Sequence, residues 1–476
     1  MKTLWGRPSA CGGLPGHPFG CGYAALQCNA CEARRGMRGV SAGRGAGFSL
    51  QRDFSPAFST TSTLGFWKVG WSMMDSLMRA GVQVEGRTLP DRRGACVLSA
   101  LVCVCIGLAW QVLTVHYNYG GNWTALFVTG SHFPVPRALA SEHLYVLPNS
   151  VGYDGQMYHY VAHDPLMQRG FRDFIDNARL RYRRILLPAL AFILAAGRQP
   201  AIDTSYIVSN LLFLFSGAWW LSRYLVLSEQ SPALSILFVL VPAALISLDR
   251  LTVDLPLTAL CIGAAYYAKI ESRWRLYAVL VLAGLSRETG LVLTMAFCIS
   301  RCAQHRFVQA ALFSTAALPA CLWYLFVDSR TSGLGVHWSN VTPLLGIVGT
   351  LIHPVQYPFS PAVNAIIVTE DYLTMAGIMV AAILAFSILR RNPFGYIEIA
   401  ASLWAVGALF LPYAFWQDCC SGGRLFTPFL IFLVLSGMPR LAIARALPLI
   451  LVSMRTWLQL VSPLFGIVRG FLDHWQ

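Results

Sequence analysis

Asp154 and Asp164 stand ten positions apart in the string Gly152-Tyr153-Asp154-Gly155-Gln156-Met157-Tyr158-His159-Tyr160-Val161-Ala162-His163-Asp164-Pro165. A carboxylate in such a setting can deprotonate an acceptor hydroxyl or ligate a divalent cation. Glycines on both sides of Tyr153-Asp154 let the backbone come close to a ligand. Read as a loop, the string does not fix the distance between its two acids. Each acid also has a plainer role, as the cap that starts a short helix, and Asp164-Pro165 suits that role better than Asp154. His159 and His163, with Asp154, offer a zinc site, although lone histidines in an aromatic loop more often serve as hydrogen-bonding groups.

The chain around this polar string is apolar. Of 476 residues, 56% are hydrophobic and 12% charged, and the mean hydropathy is +0.55. A soluble domain is about 25% charged, so this composition points to a polytopic membrane protein. The net charge of +14 fits Lys and Arg gathered in cytoplasmic loops. Nucleic acid is excluded as a partner, because no basic run alternates with aromatics. Cys96, Cys103, Cys105, Cys261 and Cys298 lie in apolar runs and act as small hydrophobes, so no disulfide framework follows.

Residues 1–94 read as an N-terminal extension, rich in Gly, Ser, Arg and Cys before about residue 73. Its single Cys28-Asn29-Ala30-Cys31 lacks a convincing partner pair for zinc. Disorder is expected there, or a true start near Met73, Met74 or Met78. Residues 95–440 form the transmembrane unit, with outer loops at 116–203 and 328–371, and residues 441–476 are a hydrophobic or interfacial tail. Arg87, Arg92 and Arg93 place the N-terminus inside, so the polar string emerges outside. Ile185–Gly197 is too short to cross and reads as interfacial or re-entrant. With a further outer turn at Ser286–Gly290, the basic clusters between spans fall on the inner face. The fold class expected is all-α, with about ten to eleven spans.

That topology leaves Asp154, Asp164, Asp249, Asp254, Glu288 and Asp418 outside, with Arg179, Arg181, Arg183, Arg184, Arg250, Arg287 and Arg424. These arginines break the positive-inside rule. Guanidinium forks bind phosphate bidentately and stay charged at any working pH. A plainer reading pairs Arg181, Arg183 and Arg184 with Asp173 and Asp176, or has them snorkel to headgroups. Charged groups at membrane depth mark functional sites by default, which singles out Arg287-Glu288 and Asp249 to Asp254. Asn122-Trp123-Thr124 and Asn340-Val341-Thr342 are glycosylation sequons, and Val341–Ile352 is an apolar piece fit for a lid.

Four sets of residues resemble the GT-C superfamily of multi-spanning glycosyltransferases. They are Tyr153-Asp154-Gly155-Gln156 with Tyr158; Arg183-Arg184-Ile185-Leu186-Leu187-Pro188; Asp254 with Pro256; and Ser286-Arg287-Glu288-Thr289-Gly290. The first string is also similar to bacterial membrane proteins of cell-surface glycopolymer formation. The resemblance implies transfer of a sugar from a polyprenyl-phosphate carrier to a glycan, lipid or protein acceptor, on the periplasmic face of a bacterial inner membrane. It implies Asp154 as base or metal ligand, with Asp254 as a second catalytic acid. Tyr153, Gln156, Tyr158, Arg183, Arg184, Arg287, Glu288 and Arg424 are then expected to bind substrate. A divalent cation, Mg or Mn, is admitted at Asp154 or Asp164, although a single Asp between glycines departs from the family's paired acids. The rival readings are a transporter or flippase for a lipid-linked glycan, which would carry internal repeats that the chain lacks, and a non-catalytic assembly subunit.

Overall fold

The structure is a computed structural model that describes residues 89–331, 342–357, 359–416, 419–436 and 442–473. The extension before residue 89, Asn340, Asp418 and Arg440 lie outside the described residues. The described chain is almost entirely helical. Its one β-pair is two residues long, β1 (Thr129–Gly130) parallel to β2 (Val146–Leu147). Among the described residues, five helical stretches are long and apolar enough to cross a membrane, and a sixth if one bent pair is counted as a span. The other apolar helices described there are shorter.

The first long helix, α1 (Leu89–Tyr119), leads into the polar segment. There the expected loop is instead a buried helix, α2 (Asp154–His163). Gly152 makes the turn into it with φ of 73°, a conformation that glycine adopts at no steric cost. α3 (Ala178–Arg183) and α4 (Leu186–Leu194) follow, and α4 is too short to span, as the sequence implies. α5 (Ile202–Val226) is long enough to cross.

A bent pair comes next. A 3-10 stretch, Pro232–Leu240, meets α6 (Pro242–Arg250) at 56°, because Pro242 cannot continue the hydrogen-bond ladder. Leu251 takes a left-handed conformation (φ 45°) at the end of α6 although it is not glycine. Tyr206 stabilises that turn by donating its hydroxyl to the Leu251 carbonyl at 3.1 Å. The turn presents Asp249, Arg250 and Asp254 before α7 (Asp254–Lys269) begins. α7 is buried from Asp254 to Tyr267, as a helix that is apolar all round should be.

α8 (Arg273–Ser286) and α9 (Leu291–Ala303) are separated at Arg287–Gly290, where the sequence places its charged turn. α10 (Phe307–Ser314) and α11 (Leu318–Arg330) together make the span 307–330. The apolar piece expected at Val341–Ile352 holds a short helix, α12 (Leu345–Ile352). α13 (Pro361–Arg391) starts eleven residues earlier than the hydropathy suggests, so Asp371 falls inside it. Arg455 and the Tyr357 hydroxyl each bond Asp371 at 2.6 Å and allow that burial.

α14 (Tyr396–Leu409) and α15 (Tyr413–Trp416) precede α16 (Cys419–Ser436). Arg424 therefore sits within a helix, not in the loop expected before one. Gly423 serves packing, since a Cβ on it would stand 2.9 Å from Thr456 Oγ1. α17 (Ala442–Trp457), which carries Thr456, can thus approach closely. α18 (Val461–Asp473) completes the last stretch.

Gly155 has a comparable role at the start of α2. A Cβ there would collide with the Arg250 carbonyl and come within 2.9 Å of the Phe127 carbonyl. Backbone cannot yield as a side chain can. Gly155→Ala is therefore expected to destabilise the fold by about 1–3 kcal/mol, read as a lower unfolding temperature in detergent. An unchanged midpoint would mean that α2 does not seat against the Arg250 turn.

Candidate active site

Five segments of the chain bring charged side chains to one place. Asp154 is the first residue of α2. Its carboxylate instead receives Arg181 at 2.8 Å and Arg424 on the other oxygen. Arg424 also reaches Asp254 at 3.3 Å, and Arg287 binds the second oxygen of Asp254. Arg184 donates to Glu288 at 3.1 Å and to the Tyr158 hydroxyl at 3.0 Å. Arg181 is shared with Asp176 through a two-pronged contact of 3.0 and 2.7 Å. Arg250 and Arg424 lie over the Tyr153 ring at 4.7 and 5.1 Å.

The network is buried. Asp154, Asp254, Arg181, Arg184, Arg287 and Arg424 are each less than 9% exposed. Burial alone would push the Asp154 carboxyl up. Arg181 and Arg424 outweigh it and hold that carboxyl well below the usual carboxylate range. Burial would lower Arg181 likewise, but Asp154 and Asp176 raise it further above its ordinary value. In this state Asp154 is a firmly ionised acceptor and a weak base.

Of the residues singled out from sequence, Asp154, Asp254, Tyr153, Tyr158, Arg184, Arg287, Glu288 and Arg424 meet in this network. Three do not. Arg183 instead donates from Nη2 to both oxygens of Asp328 at 2.8 and 2.7 Å. Gln156 accepts from Gly130 N–H at 3.0 Å and donates to Tyr160 at 3.1 Å, which ties α2 to β1. Asp164 accepts from the backbone N–H groups of Gln168, Arg169 and Phe171 at 2.7, 2.9 and 3.4 Å, so it closes the turn after α2. As arranged, Asp154 faces two guanidinium groups, and both Asp164 oxygens accept backbone N–H groups.

The plainer pairing of Arg181 with Asp176 is present, and the same arginine also bonds Asp154. Arg181 and Arg184 stand three residues apart and share the Tyr158 hydroxyl, which Arg183 does not reach. His159 and His163 meet Glu142 and Asp203, not Asp154. Burial, opposed by His163 and reinforced by Asp203, pushes Glu142 up to about 7.

The other end of the helices gathers a different set of charges. Lys269, at the far end of α7 from Asp254, donates to Ser228 at 2.8 Å. Arg301, at the far end of α9 from Glu288, lies in electrostatic range of Arg306, Arg273 and Glu271. Arg445 donates to Ser436, at the far end of α16 from Arg424, at 2.9 Å. The helices thus separate the acid–arginine network from the basic clusters that the topology assigns to the inner face.

No protein-family model, curated protein or solved structure matches the chain.

Proposed function

We propose that this chain is an integral-membrane glycosyltransferase that moves a sugar from a polyprenyl-phosphate carrier to a hydroxyl of a cell-envelope acceptor. One observation carries the reading: Asp154, Asp254, Arg181, Arg184, Arg287 and Arg424 converge from distant segments into one buried network. Taking so many charges out of water is costly, and apolar residues of similar volume would stabilise a fold as well or better. Their concentration at one place in an apolar chain is a functional signature. The GT-C resemblance supports the same end of the helices as the site and the periplasmic face as its location.

The chemistry is an in-line displacement. The acceptor oxygen bonds to the anomeric carbon as the bond from that carbon to the phosphate oxygen breaks, so the configuration inverts. The acceptor proton passes to the Asp154 carboxylate. The departing polyprenyl phosphate gains negative charge, which guanidinium groups stabilise in a water-poor site. Asp154 is too weak a base while Arg181 and Arg424 hold it. Arg424, which bridges Asp154 and Asp254, is the group that the donor phosphate draws away. That exchange places a cation on the leaving group and raises the basicity of Asp154 in one movement. No divalent cation is required by this scheme.

Binding tests it without chemistry. A short-chain polyprenyl phosphate should raise the unfolding temperature of the purified protein, and the corresponding alcohol should not, since only the phosphate recruits guanidinium forks. Equal shifts from alcohol and phosphate would remove the phosphate site from the proposal.

A further inference from the structure

A second cluster of ligating atoms lies beside the acid–arginine network and takes no part in it. His159 and His163 stand four residues apart on α2, so both rings lie on one face of the helix. Both are fully buried. His159 is stacked on Phe127 with ring centroids 3.9 Å apart, and His163 is stacked on Phe171 at 5.9 Å. Packing thus fixes the rings, and the two Nε2 atoms face each other at 3.1 Å. Asp203, near the start of α5, brings Oδ1 to 2.6 Å from His159 Nε2 and 3.5 Å from His163 Nε2. Glu142, which ends the 3-10 turn Arg137–Glu142, brings Oε2 to 3.6 Å from His163 Nε2 and 3.9 Å from His159 Nε2. All four ligand atoms lie within 4.8 Å of one another.

Hydrogen bonding accounts for part of this arrangement. The pair at 2.6 Å is a good hydrogen bond. The separations of 3.5, 3.6 and 3.9 Å are too long. Glu142 Oε2 is buried and has no hydrogen-bond partner among the described residues. A tetrahedral ion with ligands at about 2.0–2.1 Å needs ligand atoms roughly 3.3–3.4 Å apart. The observed separations bracket that value. His163 Nδ1 is bonded to Gln199 Oε1 at 2.7 Å. With Gln199 Oε1 as acceptor, Nδ1 carries the proton, and the neutral ring in that tautomer turns its Nε2 lone pair to the centre. Second-shell acceptors fix metal-ligating histidines in this way.

We infer that Glu142, His159, His163 and Asp203 form a structural site for one divalent transition-metal ion, zinc being the best match to two imidazoles and two carboxylates. Four protein ligands close the coordination sphere and leave no open position for a substrate, so the ion positions residues and does not catalyse. It joins three segments: the turn ending at Glu142, α2, and the start of α5. α2 carries Asp154 at its first residue, so the ion holds the helix that presents this acid to the arginines. The inference stands whether or not the chain transfers sugars.

The test uses the full-length protein, purified in detergent without chelator and with any affinity tag removed. About one zinc per chain is expected by elemental analysis, with two imidazole nitrogens and two oxygens at about 2.0–2.1 Å by X-ray absorption. His159→Ala and His163→Ala should lower the metal to background. Because either variant can fail to fold, wild type also decides the matter alone. Chelator-treated wild-type protein should bind about one equivalent of zinc and gain thermal stability on doing so. Monodisperse wild-type protein that carries no metal, and takes up none of zinc, nickel or manganese, would overturn the site and leave a hydrogen-bonded core.

Discussion

Asp154→Asn is expected to lower sugar transfer by about 10²–10⁴-fold, the usual contribution of a positioned general base, while the protein still inserts and folds. The second half of that expectation comes from the connectivity of the network. Removing one partner of a buried ion pair generally costs about 3–5 kcal/mol, because the other charge is stranded. Here neither arginine is stranded. Arg181 keeps Asp176 at 2.7 Å, and Arg424 keeps Asp254 at 3.3 Å. Asparagine preserves the shape and retains one acceptor oxygen. A structural role for Asp154 predicts the reverse pattern, with lowered thermal stability and transfer lost only in proportion to folded protein. Transfer per folded molecule, with an unfolding midpoint for each variant, separates the two.

Arg424→Gln is expected to lower kcat/KM by about 10²–10³-fold, as loss of one group that stabilises the developing charge does. The fold is again protected, since Asp154 keeps Arg181 and Asp254 keeps Arg287. Arg424→Lys should recover only part of the loss, because an ammonium keeps the charge without the fork that spans two acids. The split between constants is informative. If Arg424 acts on the leaving phosphate, kcat falls with kcat/KM; if it only binds the donor, KM rises and kcat stays. A fall confined to KM would leave donor capture as its role and remove the exchange with Asp154.

The main members of the network are legible in the sequence for a simple reason. Asp154, Asp254, Arg287 and Arg424 are charges in a chain that can rarely afford them, and the positive-inside rule assigns them one face without any distance being known. What sequence periodicity missed is local geometry. The string from Asp154 to His163 is rich in Gly and Tyr and reads as a loop, yet Gly152 turns the chain into a helix and Gly155 seats it against the Arg250 carbonyl. Once that helix is known, His159 and His163 share a face. Glu142 and Asp203 carried no local signal, because their nearness to the histidines arises only when the turn and α5 pack against α2. Arg424 reads as the outer edge of a late apolar span that starts at Leu425, because a charge ends an apolar run. In the fold it lies within the helix, and Gly423 beside it admits Thr456 and α17.

The account turns on whether the sugar leaves its carrier. Purified protein in liposomes, given a polyprenyl-phosphate sugar labelled on the sugar and a cell-envelope acceptor extract, provides the direct measurement. Wild type should release free polyprenyl phosphate in step with label appearing on acceptor, and Asp154→Asn should do neither. Label that stays on its carrier and appears in the opposite leaflet, at equal rates in wild type and Asp154→Asn, would contradict the account and identify a transporter.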